Sequence, residues 1–468
     1  MICSNNETLK QTPLDRARYT ARDHQSNRRT LRTGAPTGST PLPYHRSMAT
    51  TMTAFLVLAT LWAGTLTTAQ RVLMADIWKP ILEPNGTIMG SNATLSKRQF
   101  SSILTPKSDR SLYWINVTIG TPGQQQALQL DTGSNGLLVP ATGSSLCSSS
   151  LIPCDVLGSF TSSQSSTYST TSQSTTEGFV DGASVTGDWF YDTVHISGQA
   201  ITSQLAVLGT TGSGIAEGVL GIGFPASYPT LNHNLAAQGI IASNSYSLWL
   251  DDLSASSGTI LFGGLNLAKF TPPLLKVPVL GSPNADGTTS YNQPTVALTR
   301  VATLQGAAHT VQTTPGYSVP ALLDTGTPVT ILPLALANAI MSALGASYPS
   351  GSTSGNAIIP CAAASNAQSI NFHFAGLLGP IINVPISQLV LADLGNLGGV
   401  EWCQFGIYGA AASENLPTVL GDSFLRSAYV VYDLDTLHIG LAQTVVNSGS
   451  PVVVEIGAGG IPVGIVTP

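Results

Sequence analysis

Residues 128–134 read Leu-Gln-Leu-Asp-Thr-Gly-Ser, and residues 321–327 read Ala-Leu-Leu-Asp-Thr-Gly-Thr. The tripeptide Val-Leu-Gly also occurs twice, at residues 219–221 and again at 419–421. The two motifs follow one another in the same order, with offsets of 193 and 200 residues. Such a repeat indicates two structurally similar halves. Each half is predicted to contain an apolar strand, an Asp in a tight turn and a later apolar strand that ends in Gly.

The paired Asp-Thr-Gly motifs indicate more than two turns. A single copy is an ordinary turn sequence, because Gly adopts backbone conformations that other residues resist. One copy in each half, however, can bring Asp131 and Asp324 face to face. Two carboxyls at about 3 Å cannot both ionise, so they share one proton. A water between them then meets one base and one acid, which predicts general acid–base hydrolysis without a covalent intermediate.

Three further segments fit this arrangement. Residues 119–122 read Ile-Gly-Thr-Pro, residues 217–224 read Glu-Gly-Val-Leu-Gly-Ile-Gly-Phe, and residues 419–426 read Val-Leu-Gly-Asp-Ser-Phe-Leu-Arg. Together the motifs resemble those of a pepsin-like (family A1) aspartic protease of the fungal secreted type, over roughly residues 111–445. The resemblance implies an all-β, bilobal fold, in which two similar β lobes have the active-site cleft between them.

The resemblance also implies roles for individual residues. Asp131 and Asp324 would form the catalytic dyad, with the shared-proton behaviour carried over from the family, and would hydrolyse peptide bonds of polypeptides at acid pH. The hydroxyls of Ser134 and Thr327 would hydrogen-bond the outer carboxylate oxygens, and the glycines would let the backbone approach the carboxylates. The residues expected to support the dyad are Thr132, Gly133, Ser134, Thr325, Gly326 and Thr327.

The flap over the cleft departs from the family pattern. The family usually places a Tyr on this hairpin, hydrogen-bonded to a Trp that follows the first Asp motif; here the corresponding residues are Phe179 and Leu138. Because both partners are absent together, neither polar group is left unpaired. We expect an apolar contact between these side chains, with Asp181 at the flap tip. The predicted flap and substrate-binding residues are Phe179, Asp181, Gly182 and Leu138.

Four cysteines follow residue 110, which fits a secreted protein with disulfides. Of the three possible connectivities we favour the local one, Cys147 with Cys154 and Cys361 with Cys403, because each lobe then has its own bridge. The resemblance implies the same pairs. No Cys-x-x-Cys or His-ligand spacing occurs. The sequence therefore predicts no metal site, and no cofactor is expected.

The first 98 residues have the composition of processing signals. Residues 48–69 contain a short apolar run and small residues at its end, which predicts a signal peptide. Residues 70–98 are predicted to be a propeptide that ends at the dibasic pair Lys97-Arg98. Residues 1–47 are interpreted as a non-native extension ahead of the true start. The alternative keeps them as a cytoplasmic tail, with 54–69 as a type II membrane anchor.

The remaining boundaries follow from the repeat. The N-terminal lobe is predicted at 99–265, the C-terminal lobe at 266–445 and a C-terminal tail at 446–468. Asn-x-Thr acceptors predict glycosylation at Asn85, Asn92 and Asn116. In the propeptide, Lys79 either blocks the cleft or is simply solvated.

Two segments have predicted local structure. Residues 334–344 are rich in Ala and Leu and follow Pro333, which predicts a helix. Residues 159–176 hold fourteen Ser or Thr in eighteen positions, which predicts a polar surface loop.

Charge is distributed unevenly along the chain. The whole sequence has a formal net charge of −6, yet from residue 111 onward only four Lys or Arg face eighteen Asp or Glu. Such an acidic body excludes binding to nucleic acid through phosphates. A protein with few bases also gains little positive charge in acid, which predicts an acid-tolerant enzyme.

These observations together predict a secreted monomer that acts on polypeptide substrates, without stable membrane association. Cell-surface or vacuolar localisation is the alternative. The alternative function is a catalytically weak or inactive pepsin-fold binding protein, secreted or in the cell wall, which only the unusual flap favours.

Overall fold

The computed structural model describes residues 70–79, 81–82, 88–89, 112–148, 154–180, 182–214, 217–225, 228–255 and 257–462. These residues belong to one compact unit. The predicted extension, signal or anchor segment, the dibasic pair, Asn85, Asn92 and Asp181 lie outside the described residues. Within the described ranges, none of the helices combines the length and apolar character that crossing a bilayer requires.

Strands make up nearly all of the regular structure in the described ranges. In chain order they are β1 (Leu73–Trp78), β2 (Ile81–Leu82), β3 (Ile88–Met89), β4 (Trp114–Ile119), β5 (Gln124–Asp131), β6 (Leu137–Pro140), β7 (Ser169–Gly178), β8 (Ser184–Ile196), β9 (Gln199–Ser213), β10 (Gly218–Gly221), β11 (Ser245–Trp249), β12 (Ser257–Phe262), β13 (Gly264–Asn266), β14 (Phe270–Pro278), β15 (Ser282–Pro283), β16 (Thr289–Ser290), β17 (Thr295–Gln305), β18 (Ala308–Val311), β19 (Val319–Leu323), β20 (Thr330–Pro333), β21 (Gly355–Pro360), β22 (Gln368–Phe374), β23 (Ile381–Pro385), β24 (Val390–Leu397), β25 (Val400–Ala410), β26 (Thr418–Leu420), β27 (Ala428–Asp433), β28 (His438–Thr444) and β29 (Val453–Glu455). The described helices are α1 (Ser145–Ser148), α2 (Cys154–Leu157), α3 (Leu231–Ala237), α4 (Leu334–Leu344) and α5 (Asp422–Leu425). The all-β prediction is therefore confirmed.

Two large sheets organise the strands. The first has thirteen strands in the order β14-β28-β27-β11-β12-β1-β4-β5-β10-β6-β9-β8-β7. The second has ten strands, with the path β21-β25-β20-β26-β19-β17-β22-β23, while β18 pairs with β17 and β24 with β25. Strands β14, β27 and β28 come from the second half of the sequence, so the first sheet joins the two halves. Buried apolar side chains from both sheets belong to one continuous core.

The repeated motifs occupy equivalent places in these sheets. In the first half, β5 lies parallel to β10, with Asp131 beside Gly221. In the second half, β19 lies parallel to β26, with Leu323 beside Leu420. Each Asp-containing turn thus follows a strand that is flanked by the later apolar strand of its own half. The prediction of two similar halves is confirmed, because the repeat in sequence is also a repeat in topology.

Both predicted disulfides are formed. Cys147 in α1 is joined to Cys154 in α2, and Cys361 is joined to Cys403 in β25. Each bridge therefore closes a loop within one half of the chain.

Strand β1 belongs to the segment that the sequence predicts to be a propeptide. It pairs with β12 along all six residues and also with β4. Just after it, the ammonium group of Lys79 donates hydrogen bonds to the carbonyl oxygens of Asp252, at 3.3 Å, and Leu253. Lys79 is only 2% exposed, and burial lowers its pKa to about 7. The interpretation of Lys79 as a solvated side chain is therefore wrong.

The two predictions of local structure have different outcomes. The helix predicted at residues 334–344 is confirmed as α4, which ends where Gly345 adopts a positive φ of 80°. The prediction of a loop at 159–176 is wrong in its second half, because strand β7 begins at Ser169. β7 is the edge strand of its sheet and mostly exposed, so Ser and Thr suit both of its faces. It therefore lacks the alternation of apolar residues that predicts a strand.

Candidate active site

The two Asp-Thr-Gly turns enclose their own carboxylates. The backbone N–H of Gly133 donates to Oδ1 of Asp131 at 2.8 Å, and that of Gly326 donates to Oδ1 of Asp324 at 2.8 Å. Both Asp side chains are fully buried. In each turn an equivalent hydrogen bond therefore holds the Oδ1 atom of the Asp carboxyl in place.

The threonines of the two motifs link the turns to one another. The hydroxyl of Thr132 donates to the carbonyl of Leu323 at 2.8 Å and accepts from the N–H of Thr325 at 3.0 Å. The hydroxyl of Thr325 donates to the carbonyl of Leu130 at 2.7 Å and accepts from the N–H of Thr132 at 3.1 Å. These four buried hydrogen bonds cross between the halves and hold the two turns in register.

The carboxyls of Asp131 and Asp324 are themselves neighbours, close enough for the charge of Asp324 to raise the pKa of Asp131. The close approach depends on Gly133, because a Cβ atom at that position would lie 2.5 Å from Oδ1 of Asp324. Any other residue would push the second carboxyl away. The glycine of one motif thus makes room for the Asp of the other.

The hydroxyls at the fourth motif positions are not equivalent. Thr327 donates to the outer oxygen, Oδ2, of Asp324 at 2.6 Å. Ser134 lies close enough to Asp131 to lower its pKa, yet its hydroxyl and Oδ2 of Asp131 do not have the geometry of a formed hydrogen bond. Of the two contacts that the sequence predicts, the structure forms the one in the second half.

The electrostatics of the pair favour one bound proton. Burial raises the pKa of Asp131 to about 7, and the adjacent carboxyl of Asp324 contributes to the increase. In mildly acidic solution the pair therefore carries one proton and one negative charge. Such a pair can accept a proton from water at one oxygen and donate one at the other.

This pKa predicts how stability depends on pH. Between about pH 4 and pH 7 the folded chain keeps a proton on Asp131 that the unfolded chain releases, so the free energy of unfolding falls as pH rises. We expect the wild type to lose on the order of 3 kcal/mol more than Asp131→Asn over this range. Urea denaturation at several pH values measures the difference. Asp286→Asn, at an exposed position, should retain the wild-type slope; equal slopes in all three proteins would contradict the assignment.

Segments behind each turn support it from the opposite side. The N–H of Ile222 donates to the carbonyl of Asp131 at 2.9 Å, and the N–H of Asp324 donates to the carbonyl of Leu420 at 3.2 Å. Gly221 is required for this packing, because a Cβ atom there would lie 2.6 Å from the backbone nitrogen of Asn135. The Val-Leu-Gly repeats therefore form the backing of the site.

The segment that the sequence predicts to be the flap is the hairpin of β7 and β8, and Phe179 lies in the turn that joins these strands. Phe179 and Leu138 are both buried and belong to one apolar cluster. The neighbouring Val180 is half-buried and packs against a second cluster from the other half of the chain. Gly182 is exposed and has a positive φ of 86°. The members of the first cluster are Leu138, Leu146, Phe179, Ala183, Val185, Trp189, Val207 and Val219.

Sequence reasoning missed a Tyr and a Trp near the flap. The ring of Tyr228 packs edge-on against Trp189, with centroids 4.8 Å apart, and its hydroxyl donates to Oδ1 of Asn135 at 3.1 Å. Asn135 directly follows the first Asp motif. These contacts link β8, a strand of the predicted flap, to the first Asp turn. No local signal in the sequence connects Tyr228 with a residue ninety-three positions earlier.

One group of metal-ligand residue types occurs in the described ranges, formed by Cys361, Asp393 and Cys403. The two sulfur atoms are joined in a disulfide, so they are not available as thiolate ligands. The group lies in a structural bridge rather than at the paired carboxyls.

Comparison with known proteins gives the family. The family model described as eukaryotic aspartyl protease matches residues 112–444. The chain belongs to this family. It is 39% identical over 367 residues to the probable aspartic-type endopeptidase opsB of Aspergillus oryzae, covering 75% of this chain and 72% of the relative. It is also 36% identical over 350 residues to secreted aspartic protease 8 of Candida albicans, covering 73% and 78%.

A third relative is also named as an aspartic-type endopeptidase. The probable aspartic-type endopeptidase OPSB of Arthroderma benhamiae is 37% identical over 387 residues, with 78% of this chain and 75% of the relative covered. The predicted membership in the pepsin-like aspartic proteases is confirmed, and it places the chain among the aspartic-type endopeptidases. The matched region includes both Asp-Thr-Gly turns, the flap and the segments behind them.

Proposed function

We propose that the protein is a secreted endopeptidase that hydrolyses polypeptides at acid pH through Asp131 and Asp324. The observation that carries the proposal is the pair of adjacent, fully buried carboxyls inside a symmetric set of turns. Relatives named as aspartic-type endopeptidases and as a secreted aspartic protease support it. The intact motifs in both halves argue against the inactive binding protein.

The mechanism follows from the charge state of the pair. The ionised carboxyl takes a proton from a bound water, and the water oxygen attacks the carbonyl carbon of the peptide bond. The protonated carboxyl gives its proton to the carbonyl oxygen, which forms a neutral tetrahedral intermediate. The carboxyl that took the water proton then gives it to the nitrogen, while one hydroxyl of the intermediate returns its proton to the other carboxyl. The carbon–nitrogen bond breaks, the amine leaves, and the pair again carries one proton. The N–H groups of Gly133 and Gly326 hold the carboxyls in place during these transfers.

Processing is part of the proposal. The signal at 48–69 directs the chain to secretion, and cleavage after Lys97-Arg98 releases a mature enzyme that begins at Gln99. Asn116 is exposed on β4 and accepts a hydrogen bond from the indole of Trp78 through Oδ1, which leaves its amide nitrogen for a glycan. Asn85, Asn92 and Asn116 are the proposed glycosylation sites.

The test is expression of the full chain in a fungal secretory host. We expect the culture medium to digest casein between about pH 3 and pH 5, pepstatin to block the digestion, and N-terminal sequencing to start at Gln99. A purified secreted protein that digests no polypeptide at any pH would support the inactive binding protein instead. Protein retained in cells would count against secretion without affecting the catalytic proposal.

The flap gives a separate prediction. Phe179→Ala should lower kcat/KM by about tenfold or more, because the loss of a buried ring loosens the flap over the cleft. Phe179→Leu, which keeps the apolar contact, should remain within about threefold of the wild type. Steady-state kinetics with a fluorogenic peptide measure both. Equal kcat/KM for Phe179→Ala and the wild type would show that the flap cluster has no role in turnover.

A further inference from the structure

A cavity of about 230 Å³ opens at the first Asp turn. Residues 133–135 of that turn line it, and Gly133 lies against Asp324. The second half of the chain contributes Leu280, Ser282 and residues on the C-terminal side of the β15–β16 hairpin. A single water needs only about 10–15 Å³, so this space is large enough for a substrate side chain. The lining residues are Gly133, Ser134, Asn135, Leu280, Ser282, Asn292, Gln293 and Thr295.

The described part of the lining is polar but uncharged. Six of these eight residues have a hydroxyl or carboxamide side chain, and none of the eight has a formal charge. A pocket of this kind can hydrogen-bond both donors and acceptors. An apolar side chain would leave those groups without partners, and a charged one would find no counter-ion among the described lining residues.

Several polar groups around the cavity are free to bind a ligand. The buried hydroxyl of Ser134 makes no hydrogen bond. Tyr228 engages only the oxygen of the Asn135 carboxamide, and no hydrogen bond from its amide nitrogen occurs within the described residues. The Gln293 carboxamide is likewise without a side-chain hydrogen bond in this part of the chain and is half-buried. Both chain segments that line the cavity thus contribute donors and acceptors.

We infer that this cavity binds an uncharged, hydrogen-bonding side chain (Ser, Thr, Asn or Gln) of the peptide substrate, from a residue within two positions of the cut bond. The inference rests on the proposed function and adds a specificity determinant to it. Asn135 and Gln293 are the residues that select the side chain, one from each chain segment that lines the cavity. The short distance between Gly133 and Asp324 places the bound side chain next to the reacting carboxyls.

The test is a set of quenched fluorescent peptides with one scissile bond, in which each of the four flanking positions carries Gln, Leu or Lys. At one position we expect the wild type to favour Gln over Leu in kcat/KM by about 2- to 10-fold, the value of one neutral hydrogen bond. Gln293→Leu should remove this preference. Gln293→Glu, assayed near pH 5.5 where a carboxylate is ionised, should raise the Lys-to-Gln ratio at the same position by about tenfold.

The matched control is Thr289→Glu, which adds the same charge to the exposed β15–β16 hairpin but outside the lining. It should retain the wild-type profile at every position. Unchanged profiles for both Gln293 variants, in an enzyme that still cleaves the peptides, would overturn the inference and show that the cavity holds only water. Absence of cleavage by the wild type of any peptide would instead refute the proposed function.

Discussion

Asp131→Asn and Asp324→Asn will each lower kcat by at least about 10³-fold against a fluorogenic peptide at pH 4. General acid–base catalysis by one group contributes about 10²–10⁴-fold, and in the proposed mechanism each carboxyl serves as base in one step and acid in another. Asparagine keeps the oxygen that accepts from the Gly133 or Gly326 N–H, so the turn is retained. It cannot take or release the proton. The decrease in kcat therefore measures the loss of proton transfer rather than a loss of folded protein.

The experiment has two controls. Asp286→Asn removes a carboxyl at an exposed position and should leave kcat unchanged. Thermal unfolding of the two dyad variants at pH 4 should show folded protein, since the substitution is nearly isosteric. Residual activity within tenfold of the wild type in either dyad variant would contradict the proposed role of that Asp in the mechanism.

Much of the candidate site could be predicted because its residues lie within short sequence motifs. The Asp131 and Asp324 turns are each encoded within four residues, and the repeat itself indicated that they meet. The disulfides between Cys147 and Cys154 and between Cys361 and Cys403 followed from simple spacing. Helix α4 followed from its composition and from Pro333.

The rest depended on contacts between distant segments. The hydrogen bond from Tyr228 to Asn135 has no counterpart in a local pattern. Strand β7 was not predicted, because an exposed edge strand of Ser and Thr resembles a polar loop in sequence. Burial of Lys79 was also hidden, since its hydrogen bonds go to backbone carbonyls about 170 residues away. Every residue has a backbone carbonyl, so the sequence does not show which one accepts a hydrogen bond.

Thr132→Val and Thr325→Val should each destabilise the protein by about 2–6 kcal/mol. Each substitution keeps the shape of the side chain but removes the hydrogen bonds of one buried carbonyl and one buried N–H to the hydroxyl, and each such loss costs about 1–3 kcal/mol. The carbonyl of Leu323 keeps a long hydrogen bond of 3.5 Å from the hydroxyl of Tyr432, so Thr132→Val should cost less than Thr325→Val. Urea denaturation at pH 4 measures the change in the free energy of unfolding. Serine at either position keeps the hydroxyl and should cost less than about 1 kcal/mol, which isolates the hydrogen bonds from the lost methyl group.

The same threonines should also affect turnover, because their hydrogen bonds are the links between the two Asp turns. A displacement of about 1 Å between reacting groups can cost about 10²-fold in rate. We therefore expect kcat of the Val variants, measured where they remain folded, to fall by tenfold or more, with the Ser variants close to wild type. In the double variant Thr132→Val/Thr325→Val the losses should not add, since both hydroxyls belong to one network. Additive losses, or Val variants as stable and active as the wild type, would mean that the two halves position their carboxyls independently of these bonds.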